Sequence, residues 1–84
     1  MTTGAERDCF TLLAEELRRH GLADEAESLM SSIAAGSTGS ECLGLAGQAI
    51  AGLRARHRRE AAGALKPFLA PCIQAIRKAW PRYS

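Results

Sequence analysis

The sequence predicts an all-α protein, a small four-helix domain made of two helical hairpins, with residues 1 to 84 forming one domain. Three observations lead there. Alanine and leucine fill the apolar positions while β-branched residues are few, which favours helix over sheet. Apolar side chains recur at helical spacing in four stretches, and glycine or proline punctuates the chain around them.

The first stretch runs over about residues 4 to 20, with Thr3 and Glu6 at capping-box spacing ahead of it. Cys9, Phe10, Leu13 and Leu17 share one face, Glu15 and Arg19 stand four apart outside, and Gly21 is placed to end the helix. A second helix over about 22 to 35 puts Leu22, Ala26, Leu29, Met30 and Ile33 on a stripe and stops at Gly36. The short break at Gly21 predicts an antiparallel pair.

Residues 36 to 41, Gly-Ser-Thr-Gly-Ser-Glu, read as a hinge in which Thr38 or Ser40 caps the next helix. A phosphate site at that helix start is disfavoured, because no lysine follows the glycines and Glu41 would repel an anion. The third helix, over about 41 to 62, turns Cys42, Leu45, Ala46, Ala49, Ile50 and Leu53 inward. Its opposite side carries an arc of small residues, Gly44, Gly47, Ala51 and Ala55. Each glycine inside a helix costs about 1 kcal/mol relative to alanine, so a close neighbour, from this chain or a second one, is expected to compensate.

The fourth helix, over about 64 to 80, aligns Leu65, Phe68, Leu69, Cys72, Ile73, Ile76 and Trp80. Pro67 and Pro71 fall off that face and predict a helix start at the first or a kink near the second. Pro81 closes the helix; Trp80 is expected in the core and Tyr83, beyond the proline, in solvent.

Charge divides along the chain. Residues 1 to 41 hold eight Asp/Glu against three Lys/Arg, net −5, and residues 42 to 84 hold eight Lys/Arg against one Glu, net +7. The halves should therefore attract each other, or attract a second copy, and leave a basic surface where the match is incomplete. Neither a transmembrane run nor a secretory leader is read in the chain, so a cytoplasmic location without membrane contact is expected. Cys9, Cys42 and Cys72 are odd in number, unpaired in spacing and placed on apolar faces, as buried thiols would be.

His20 and His57 are the only candidate proton carriers, and neither has a carboxylate at a spacing that marks a catalytic base. A half-buried His57–Glu60 pair at the end of the third helix is expected to be structural. With no catalytic or metal-ligand pattern, the chain is expected not to be an enzyme, and no cofactor or metal is implied. An enzyme or metalloprotein built on His57, Glu60 and a cysteine is the weakest of the readings.

The central block of residues 36 to 41, preceded by Ile33-Ala34-Ala35 and followed by a Leu/Ala helix bearing arginines, resembles short uncharacterised bacterial helical proteins that share a Gly-Ser-Thr-Gly-x-Glu block. The resemblance covers the middle third of the chain and implies no activity or site residue. The sequence thus points to a small non-enzymatic protein of a bacterium or phage that acts by protein–protein interaction, as an inhibitor, immunity protein or regulator. Its partner-binding residues are expected to be Gly44, Gly47, Ala51, Arg54, Ala55 and Arg58, with a homodimer through the third helix as one form of contact. The alternative is a nucleic-acid-binding regulator using Arg54, Arg56, Arg58, Arg59, Arg77 and Lys78.

Overall fold

A computed structural model describes residues 8–83, and among these the only regular elements are helices. They are α1 (Cys9–Arg19), α2 (Ala23–Ala34), α3 (Gly39–Arg56), α4 (Arg58–Ala62) and α5 (Lys66–Ala79). Five helices stand where four were predicted, because the third breaks at His57. No helix among the described residues is long and apolar enough to cross a membrane.

Asp8, in extended conformation, caps α1 by accepting a hydrogen bond from the Thr11 amide at 2.7 Å. The helix therefore starts later than the predicted residue 4, and the Thr3–Glu6 box lies outside the described residues. Its other end is a Schellman turn. Gly21 takes a left-handed φ of 76°, the Leu22 amide donates to the Leu17 carbonyl at 2.8 Å and the Gly21 amide to that of Arg18 at 3.2 Å. This turn lays α2 back against α1, with Leu13 and Leu17 facing Ala26 and Leu29 in the core.

Thr38 caps α3, its hydroxyl accepting from the Glu41 amide at 3.1 Å while the Glu41 carboxylate accepts from the Ser37 amide at 2.8 Å. The hinge block thus satisfies its own amides, in a variant of the capping box that reaches one residue further back. Gly36 is needed for contact: a Cβ there would lie 2.7 Å from the Cys42 backbone nitrogen. Helix α3 packs on α2, and α5 lies against both α1 and α3. Ala46, Ile50 and Leu53 of α3 meet Leu69, Cys72 and Ile76 of α5 with the α1 and α2 leucines in one core, joined by Leu65.

No glycine or proline explains the break at His57, whose φ and ψ are −126° and 60°. Its amide closes α3 by donating to Leu53 at 2.8 Å and its carbonyl opens α4 by accepting from Ala61 at 2.9 Å, so this one residue caps both helices. A long-range contact accounts for the bend. Arg56 and His57 both reach Glu25 of α2, the guanidinium through Nη2 to Oε1 at 2.7 Å and Nε to Oε2 at 2.9 Å, the imidazole Nε2 at 3.1 Å from Oε2. A bidentate guanidinium–carboxylate pair fixes direction as well as distance.

Helix α5 has Pro67 in its first turn, where the missing amide costs nothing, and continues through Pro71, whose side chain is exposed. It ends at Ala79. The expected placement of the two terminal aromatics is reversed: Trp80 is 47% exposed, whereas Tyr83 is half-buried and packs on the core. Pro81 ends the helix and the chain then turns back, with the Tyr83 amide donating to the Trp80 carbonyl at 2.9 Å, which swings Tyr83 onto α3.

Candidate functional site

The outer face of α3 holds the small-residue arc, and the C-terminal tail covers one end of it. Trp80 Nε1 donates to the Ser40 carbonyl at 2.8 Å, and the Tyr83 hydroxyl donates to the Gly47 carbonyl at 2.8 Å. Arg77 locks the turn by donating from Nε to the Tyr83 carbonyl at 2.8 Å. A Cβ on Gly44 would sit 3.2 Å from the Trp80 ring, and one on Gly47 2.8 Å from the Tyr83 ring. The compensation expected for these glycines is thus supplied by the chain's own aromatics, which leaves Gly44 and Gly47 largely withdrawn from any partner.

Beyond Tyr83 the arc stays open. Ala51 and Ala55 are exposed and form one wall of a groove of about 770 Å³ between α3, α4 and α5. Alanines of α4 and α5, with Leu69 and Ile73, complete an apolar floor. Arg54, Arg58 and Lys66 stand on its rim, and among the described residues no carboxylate side chain lines it. A smaller hollow of about 530 Å³ lies on the other side of Tyr83, beside Gly44, Gln48 and Trp80.

The break at His57 shapes this groove. A straight helix through residue 62 would carry Arg58 and the following alanines along the α3 axis, whereas the bent chain sets α4 down as a separate wall beside α5. Of the predicted partner-binding residues, Ala51, Arg54, Ala55 and Arg58 meet at the groove; Gly44 and Gly47 lie under the tail. Lys66 belongs to the rim and escaped the sequence reading, because only the α4–α5 turn brings it beside Arg58.

The arginines of the nucleic-acid alternative do not gather on one face. Arg56 is committed to Glu25 and Arg77 to the tail, while Arg59 and Lys78 lie outside the groove. Arg54 works on Tyr83, whose phenol is pushed up by burial and drawn partly back by that guanidinium. The Glu25 carboxyl is held below its ordinary value by the Arg56 hydrogen bond first, against the opposing effect of burial, with His57 adding in the same direction as Arg56. His57 therefore pairs across the molecule with Glu25 rather than with Glu60, a contact 32 residues away that local spacing does not reveal.

His20 caps the end of α1 with Nε2 at 3.3 Å from Glu16. Cys72 is fully buried, and burial, reinforced by the neighbouring Cys9, pushes its thiol well above the ordinary range, the opposite of what a nucleophile needs. Among the described residues no group of three His, Cys, Asp or Glu side chains is arranged to hold a metal. The chain matches no family model, no curated protein and no solved structure.

Proposed function

We propose that this protein acts without catalysis, by binding another protein through the groove between α3, α4 and α5, as an inhibitor, immunity protein or regulator would. The observation that carries the reading is the pairing of an apolar alanine floor with a rim of Arg54, Arg58 and Lys66. An exposed apolar depression edged by charge is what an interface core with a polar rim requires. The α1–α2 hairpin and the basic α3–α5 half form the scaffold, clamped where Glu25 meets Arg56 and His57.

A homodimer along the whole third helix fits less well. The glycines that would allow the closest approach are already filled by Trp80 and Tyr83, so a second copy has only the Ala51–Ala55 end to use. Nucleic acid fits less well also, since phosphates gain nothing from an alanine floor and two of the arginines are engaged within the chain. Affinity capture with the intact protein at moderate salt should recover a protein partner. Ala55→Glu, at an exposed site, should abolish that recovery while leaving the helical circular-dichroism signal in place. Recovery of nothing, or recovery indifferent to Ala55→Glu, overturns the proposal.

A further inference from the structure

We propose that Cys9 and Cys72 form a paired modification site, two thiols that close into a disulfide between α1 and α5 when the protein meets a small disulfide oxidant of the oxidised-glutathione kind. The fold brings them together from opposite ends of the described chain. Cys9 is the first residue of α1, Cys72 sits in the middle of α5, and these two helices pack directly on each other. Both thiols are free, and the two side chains lie within hydrogen-bonding reach at the edge of the core. Cys9 packs against the buried cluster while keeping part of its surface in water; Cys72 belongs to that cluster and is fully enclosed.

A disulfide holds its sulfurs about 2 Å apart and its Cα atoms about 4.4 to 6.8 Å apart, so closing from contact needs a small movement. Cys9 is placed to make it. Only the Asp8 cap holds the start of α1, and the first turn of a helix opens more cheaply than its middle. Cys42 stands elsewhere, at the start of α3 against Gly36.

Burial sets the order of events. Cys9, the accessible partner, loses its proton and attacks one sulfur of the oxidant, which forms a mixed disulfide and releases one small thiol. Cys72, once deprotonated, attacks the Cys9 sulfur and releases the second. Two protein thiols and one small disulfide become one protein disulfide and two small thiols; two electrons pass to the oxidant, and the two thiol protons end on the released thiols. Burial holds the Cys72 thiol above its ordinary range, which slows the closing step at neutral pH. Proximity works the other way, since the sulfur under attack is held beside it. The link encloses α2, α3 and α4 in one long loop, the case in which a crosslink removes most entropy from the unfolded chain. Neither cysteine is among the described residues that line the α3–α5 groove, so the staple stiffens the scaffold and leaves that face in place.

The intact, reduced protein is incubated with oxidised glutathione while its helical circular-dichroism signal persists; remaining thiols are then alkylated in denaturant, and mass and peptides are read. Two of the three thiols should disappear into one peptide pair joined through Cys9 and Cys72, with Cys42 left out of the link. The oxidised form should melt about 10 °C or more above the reduced one, a gain that dithiothreitol reverses, and closure should quicken as pH rises. Cys42→Ser should keep all of this. Cys9→Ser, which leaves Cys42 and Cys72 as the available pair, should form no internal link; if that variant fails to fold, the crosslink and melting shift of Cys42→Ser decide alone. A glutathione adduct that stays on Cys9, an internal link through Cys42, linked copies in place of the internal bond, thiols left unreacted, or a crosslink that does not raise the melting temperature overturns the proposal.

Discussion

Along the outer face of α3, Gly44 and Gly47 lie under Trp80 and Tyr83, whereas Ala51 and Ala55, further along the same face, stay in solvent beside a groove. The two ends differ by a methyl group at each position, and the difference follows what covers them. Where the chain's own aromatics must touch the helix backbone, and where the Tyr83 hydroxyl must reach the Gly47 carbonyl, a Cβ is in the way. Where nothing from the described chain arrives, alanine keeps the helix propensity that glycine gives up. Glycine therefore marks an internal contact here, and alanine marks the vacant surface.

The comparison breaks most sharply at Gly47. Gly47→Leu would force the Tyr83 ring off the helix and should lower stability by about 1 to 3 kcal/mol, as overpacking does. For a domain of this size that is a fall in melting temperature of about 4 to 8 °C per kcal/mol, readable by thermal circular dichroism. Removing the cover is the next largest change. Tyr83→Ala should cost about 1 to 2 kcal/mol through lost burial and one hydrogen bond. In that background Gly47→Leu should cost less than it does alone; an additive double mutant would mean that Tyr83 is not what the glycine accommodates.

The clamp across the molecule offers a third, smaller effect. Glu25→Gln should destabilise by about 1 kcal/mol, the upper range for an ion pair with good geometry and partial exposure. Because the Glu25 carboxyl is held below its ordinary value of 4.5, its contribution is present above that pH and disappears as pH falls through the lowered folded value. Denaturant titrations across acidic pH should show this loss in the wild type and a shallower one in Glu25→Gln. Smallest of all is the open end. Ala55→Leu should change stability by about 0.5 kcal/mol or less, since the side chain enters an unfilled groove. A loss comparable to that of Gly47→Leu would show that the groove is occupied from within.

Much of the scaffold was legible because its causes are local. Periodic leucines and alanines set four stretches of helix, Gly21 set the first turn, and Thr38, one of two candidate caps, set a helix start, all through contacts within a few residues. The arc on α3 was equally visible as an excess of small residues. Which end would be covered was not, because Trp80 continues the apolar stripe of α5 in phase and only the turn after Pro81 sends Tyr83 inward in its place. The break at His57 was hidden for a like reason. Arg-His-Arg contains no helix breaker, and the cause is Glu25, distant in sequence and brought near only by the packing of α2 on α3. Lys66 joined the rim through the same bend.

That bend separates the groove's wall from the core. Helix α4 contributes no fully buried side chain, yet it forms one bank of the groove and supplies Arg58. Substitutions at its exposed positions would therefore redraw one wall of the groove while leaving the twelve buried side chains of the core in place.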